Sequence, residues 1–232
     1  AAIPLYGRSA DNIRDHRHVT SLLHRIETTD TGVLVTPTLS FDERGHQVNH
    51  MTYYCVGWSG NGEKPVDFYP TAEDFVGEGG NFERPYAIVK NAEGVKAGTK
   101  IEGLEAVGGL HFSEITLEPE EECSYLIFTG ITEDIQEIRN LSKTYTTREK
   151  VLEELEKTKA YWQEKVNVAY HTGDSDFNQF MHWVSFQPIL RRIYGCSFLP
   201  HHDYGKGGRG WRDLWQDCLA LLIMNPDGVR QM

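Results

Sequence analysis

The sequence predicts a mixed β + α, multidomain chain in which a β-sandwich leads through a linker helix into the opening of a helical domain. Three observations carry this. From about residue 19 to 128, short apolar or alternating runs are punctuated by turn residues; beyond that the apolar spacing changes to three or four; and glycine and polar breaks separate the later runs into helices. The chain has 232 residues with 39% hydrophobic and 25% charged side chains, the balance of a globular protein able to bury a core without disulfide staples.

Gly32–Phe41 reads as one strand, closed by the turn Asp42-Glu43-Arg44-Gly45, with Met51–Trp58 as the returning strand. Tyr86–Val89, Leu110–Leu117 and Cys123–Gly130 are further strands, the last two joined by the acidic link Glu118–Glu122, a solvated turn. Thr146-Thr147-Arg148-Glu149 has capping-box spacing, and Val151, Leu155, Thr158, Trp162 and Val166 then mark an amphipathic helix. Phe177, Phe180, Met181, Val184 and Ile189–Ile193 predict a second helix, bent or interrupted near Pro188 and ending near Gly195. Trp211–Met224 is a third, entered from the loop Gly205-Lys206-Gly207-Gly208-Arg209-Gly210.

A net charge of −11 argues against a general nucleic-acid or anionic-membrane binder. Cys55, Cys123, Cys196 and Cys218 lie far apart with no CxxC pair, which fits a reducing cytoplasm. The N-terminus has neither a basic n-region nor a long apolar stretch, and no run is long enough to span a bilayer. The chain begins without Met and ends just past an apolar helical run, so an internal piece of a longer protein is expected.

The sharpest local feature is Trp211-Arg212-Asp213-Leu214-Trp215-Gln216-Asp217. On a helix Arg212 and Gln216 share one face and Asp213 and Asp217 the next, with Leu219, Leu222 and Ile223 expected to pack behind them. Carboxylates accept sugar hydroxyls, a guanidinium donates in a planar fork, and Trp211 or Trp215 can stack on a sugar ring. The same letters also fit a first-turn acidic pair favoured by the helix dipole, with Arg212 in a structural salt bridge. The glycine loop at 205–210 lacks the GxxxxGK[ST] pattern and is an approach to a helix N-terminus that attracts anions. His201-His202-Asp203 has no second cluster of matching spacing, so no metal site is expected. His16, His18 and His24, beside Arg14, Arg17 and Arg25, read as a solvated basic start.

From Gly173 onward the sequence resembles glycoside hydrolase family 94, the inverting β-glycoside phosphorylases. Phe177–Gln187 is similar to the family's aromatic, Trp and Gln pattern, and Gly210–Asp217 to its G-aromatic-RDxxQD segment. Upstream, Phe75–Pro85 looks like the closing part of the family's large sandwich. The resemblance implies a supersandwich portion over 1–130, a helical linker over 131–170, and the first helices of an (α/α)6 barrel over 171–232. It also implies that Arg212 and Asp213 hold the glycosyl unit, with Lys206 contributing and Gln216 and Asp217 supporting. Lys206 and Cys196 stand where relatives carry Arg.

The family's general acid sits in a GDWND-like segment, and no such segment occurs in these residues; the front of the sandwich is also expected to be missing. The implied reaction is reversible phosphorolysis of β-linked gluco-oligosaccharides, most like the β-1,2-oligoglucan branch, giving α-glucose 1-phosphate. Inorganic phosphate is the co-substrate, with no metal or organic cofactor. The implied partners are a β-glucan oligosaccharide, phosphate or glucose 1-phosphate, the remaining segments of the same parent and a second copy in a homodimer. The alternatives are a noncatalytic carbohydrate-binding module and an inverting hydrolase on the same barrel.

Overall fold

The computed structural model describes residues 4–5, 21–42, 45–194 and 211–231, with side chains described for these except at 4, 5, 40–42, 45–47, 193, 194, 211 and 213. The chain forms two compact units, Ala1–Val151 and Leu152–Met232.

The first unit is built on a five-stranded antiparallel sheet. Its strands are β2 (Arg25–Thr28), β3 (Gly32–Val35), β6 (Thr52–Ser59), β8 (Lys100–Glu102) and β10 (Tyr125–Thr132), in the order β10-β6-β3-β2-β8. A three-stranded sheet joins β1 (Pro4–Leu5), β9 (Ala106–His111) and β7 (Asp67–Thr71), and β4 (Leu39–Asp42) pairs with β5 (Gly45–Val48) as a hairpin. Side chains alternate across β3. Val33 and Val35 meet Ile26, Cys55, Phe68, Ala106 and Leu110 between the two larger sheets, while Leu34 faces the other way, onto Val56, Trp58 and Leu126. Because both faces of β3 are covered, its sequence is an unbroken apolar run rather than an alternating one.

The outer face of the large sheet is covered by α3 (Ile135–Thr144), the third helix after α1 (Ala72–Val76) and α2 (Tyr86–Val89). The Asp134 carboxylate caps α3 by accepting from the Gln136 amide at 2.8 Å, and Ile138 is buried against the sheet. At its far end Trp58 Nε1 donates to Tyr145 O at 3.0 Å, with Phe128 stacked between the two rings.

Several strand expectations shift. The Gly32–Phe41 run breaks at Pro37, whose fixed φ and missing N–H end the ladder. β4 therefore pairs locally with β5, Asp42 opposite Gly45, and β6 returns on β3 independently; Glu43 and Arg44 lie outside the described residues. Tyr86–Val89 is a single helical turn entered from Pro85, not a strand. The strand expected at 110–117 lies earlier, as Ala106–His111, and the one at 123–130 lies slightly later. His24 is buried rather than solvated, with Nδ1 hydrogen-bonded to Leu104 O at 3.1 Å. His16 and His18 lie outside the described residues.

Cys55 on β6 donates from Sγ to Gly108 O on β9 at 3.5 Å, and burial pushes its thiol up to about 11 from an ordinary 9.0. The folded state thus holds this proton more tightly than the unfolded chain. Its share of stability is complete below pH 9.0 and is lost as pH rises through about 11. Burial raises the Tyr53 and Tyr69 hydroxyls in the same sense. The urea midpoint of the sandwich should fall across that alkaline window, with a shallower fall in Cys55→Ala. A midpoint that stays level through the window contradicts the assignment.

The helix predicted from the capping box is α4 (Arg148–Lys165), but none of its residues is buried. Leu155 and Thr158 are exposed, and only its ends engage: Val151 packs on the sandwich cluster around Leu34, and Trp162 on the helical core. Within the second unit, α5 (Ser175–Tyr194) is capped by the Asp174 carboxylate, which accepts from the amides of Asp176 at 2.9 Å and Phe177 at 3.0 Å. It continues through Pro188 without interruption. One turn earlier the Ser185 hydroxyl donates to Met181 O at 2.9 Å. Packed beside it is α6 (Trp211–Met224), and Ile189, Leu221 and Val166 form the core between them. Gly195 lies outside the described residues.

Candidate functional site

The polar segment singled out in the sequence opens α6, so its geometry follows from which face of that helix is buried. Asp217, Cys218, Leu221 and Met224 point inward at three- and four-residue spacing. Arg212, Trp215 and Gln216 are exposed, and the first and last of these share a face, as i,i+4 residues must. The apolar backing expected from Leu219, Leu222 and Ile223 is not formed. All three are exposed, Ile223 by 80%, because the stripe centred on Leu221 is the one that meets Ile189.

Asp217 is the point at which α6 is tied to α5. Arg191 Nε shares its one N–H between the two oxygens of the Asp217 carboxylate, at 2.8 and 2.7 Å, and Nη2 donates to Oδ1 at 2.5 Å. Arg191 Nη1 adds a 3.4 Å bond to Gln187 Oε1 on its own helix. Both charged side chains are nearly withdrawn from water, and a bidentate fork in that setting sets the rotation of one helix against the other. Arg192 holds the other end of α6 by donating to Asn225 O at 3.1 Å and to Asp227 O at 3.0 Å.

A cavity of about 390 Å3 lies against this pair. Arg191, Asp217, Gln187 and Gln216 form its polar side, and Tyr170 and Ile223 are among its apolar walls. Such a pocket, mostly apolar with a few convergent polar groups, has the composition of a small-molecule site.

The structure thus brings Gln216 and Asp217 to one cavity and leaves Arg212 exposed one turn nearer the helix start. Asp213 belongs to the same helix, but its side chain is outside the described residues, as are Lys206, Cys196, His201, His202, Asp203 and the glycine loop. Arg191 is the residue that sequence reasoning passed over. Its signal was a basic side chain inside the apolar run Ile189–Ile193, where an unpaired charge would be costly and a carboxylate partner was to be expected.

Among the described residues, no group of three or more His, Cys, Asp or Glu is arranged to hold a metal ion. Nor is any described helix long and apolar enough to cross a membrane. Cys55, Cys123 and Cys218 are free thiols.

No curated protein matches the chain. A family model does: that of the glycosyl hydrolase 94 supersandwich domain, over residues 8–148. The matched segment takes in the five-stranded sheet, β7 and β9 of the three-stranded one, the hairpin and α3, and amounts to well over half of the chain. The chain belongs to glycosyl hydrolase family 94, a family of glycoside phosphorylases.

Proposed function

We propose that this chain is part of an inverting phosphorylase acting on β-linked gluco-oligosaccharides, with β-1,2-glucans as the preferred class. In this reading residues 1–130 are the rear of the supersandwich, 131–170 the helical linker and 171–232 the first helices of an (α/α)6 barrel. The observation that carries it is the Arg191–Asp217 fork. It consumes the Asp217 carboxylate in holding α6, while Arg212 and Gln216 stand exposed on a shared face of the same helix. Asp217 is then a positioning residue. Arg212 and Asp213 grip the glucosyl hydroxyls, Gln216 supports them, and Lys206 adds a point donor to the same subsite.

Phosphorolysis needs less from the protein than hydrolysis does. An inverting hydrolase requires one carboxyl group to protonate the leaving oxygen and another to activate water. Phosphate is already an anionic nucleophile and needs no base. One of its oxygens bonds to the anomeric carbon from the face opposite the glycosidic oxygen. The C–O bond to the leaving sugar breaks as that oxygen takes a proton from an acid. The β-linkage becomes α-glucose 1-phosphate, and no electrons are transferred to a cofactor. Arg212 and Asp213 orient the ring while charge develops at its anomeric carbon. None of the 232 residues is assigned to the proton donor; the reading assigns it to a segment outside them. Further parts of the proposal are a second copy as homodimer partner and residence in the cytoplasm, in keeping with three free thiols.

The test is phosphate release by the complete protein from α-glucose 1-phosphate with a short β-1,2-glucan acceptor. Release that requires the acceptor is the expected result. Saturable glucan binding without turnover overturns the reading in favour of a binding module, and liberation of free glucose independent of phosphate overturns it in favour of a hydrolase.

A further inference from the structure

A second cavity, of about 430 Å3, lies in the sandwich unit and has no part in the reaction proposed above. Its walls come from the turn between β2 and β3, from Lys64 beyond β6, and from one side of α3. The volume falls within the range of small-molecule sites, about 300–1,000 Å3.

The charges in this cavity do not balance internally. Asp30 is ion-paired with Lys64, and Glu27 lies 4.0 Å from Lys100. Both acids on the wall are therefore already matched by lysines. Arg139 and Lys143, also on the wall, have no carboxylate or hydrogen-bond partner for their side chains among the described residues. They stand one turn apart on α3, where like charges repel. The helix C-terminus accounts for Lys143, which lies in the last turn, but not for Arg139 in the middle of the helix. In a chain of net charge −11, an unmatched guanidinium and ammonium on one concave wall form a site for an anion, the guanidinium providing a fork that fits phosphoryl oxygens.

The rest of the wall is too large and too polar for an inorganic ion alone. The Ser142 hydroxyl donates to Arg139 O at 3.3 Å and keeps its acceptor capacity, and Thr31, whose hydroxyl lies 3.4 Å from that of Thr29, also lines the wall. Glu27 and Asp30 offer carboxylate oxygens to hydroxyl donors, and Ile135 offers an apolar surface.

We propose that this cavity binds a sugar monophosphate, its phosphoryl group on Arg139 and Lys143 and its hydroxyls toward Thr31, Ser142, Glu27 and Asp30. The site shares no residue with α6, and the proposal stands on these walls whether or not the chain serves phosphorolysis.

The experiment is a titration of the 15N-labelled 232-residue chain with glucose 1-phosphate, inorganic phosphate and glucose, followed by amide shifts. Glucose 1-phosphate should move the amides of Thr31, Ser142 and Lys143 saturably, phosphate should do so more weakly, and glucose should not. In Arg139→Gln/Lys143→Gln the affinity read at those amides should fall at least about tenfold, as expected for loss of charge-assisted bonds. Both residues are exposed, so the melting temperature should be little changed. Absent shifts at those amides, or shifts unaltered in the double variant, overturn the proposal. Equal affinity for phosphate and glucose 1-phosphate overturns its sugar half. Shifts confined to α6 also count against it, and they leave the phosphate-release assay as the separate test of the catalytic reading.

Discussion

Arg191→Ala is expected to lower the stability of the helical unit by about 3 kcal/mol or more, because it leaves the Asp217 carboxylate buried with no countercharge. The whole of that cost is not the worth of the bond. Most of it is the penalty of stranding a charge away from water. The difference is measurable by comparing denaturation of Arg191→Ala with that of Arg191→Met/Asp217→Leu, which removes both charges and keeps apolar volume. The paired replacement should be near neutral. A loss under about 1 kcal/mol in the single variant would mean that water reaches the pair, and the fork would then not fix α6.

Gly32→Ala should be about as damaging to the sandwich, for a steric reason. A Cβ at Gly32 would sit 2.1 Å from Cys55 O and 2.6 Å from Val56 Cα, both backbone atoms of the neighbouring strand. Gly32 pairs directly with Val56, and β3 and β6 are adjacent inner strands of the five-stranded sheet. No rotamer change relieves such a clash, so the strands must separate, at about 3 kcal/mol. Gly62→Ala is the control. Its φ of +83° strains a side chain, but nothing lies within 4 Å, and the cost should stay near about 1 kcal/mol. Equal losses in the two variants would show that backbone conformation, and not the close approach of β3 to β6, governs the effect.

The legible parts of the fold were those where pattern and packing agree. Trp211–Met224 forms a helix over the very residues expected, since its apolar spacing has a core to face. Two of the departures in element type and extent have local causes. Tyr86–Val89 is apolar enough for a strand, but Pro85 starts a helical turn that buries Ala87. Gly32–Phe41 carries apolar residues along most of its length, but the proline at 37 divides it. The short strands β2, β7 and β8 carry too few residues for their periodicity to stand out, and they are specified by tertiary partners instead.

At the site, the sequence pointed to the polar opening of α6 but not to its inner face. Leu219, Leu222 and Ile223 are as apolar as Leu221, and only the position of Ile189 on α5 decides which of them is buried. Arg191 was hidden for the same reason. Its partner lies 26 residues away, and the pairing depends on the packing of two helices.

The central claim is that Arg212 and Asp213 hold a glucosyl ring for attack by phosphate. It is tested most directly by the kcat and KM for phosphorolysis of a β-1,2-linked glucobiose by the complete protein and by its Arg212→Ala and Asp213→Ala variants. The account predicts that each variant retains its fold and loses at least about a hundredfold in kcat/KM, equivalent to about 2.7 kcal/mol of transition-state stabilisation. Turnover undiminished in either variant would contradict it.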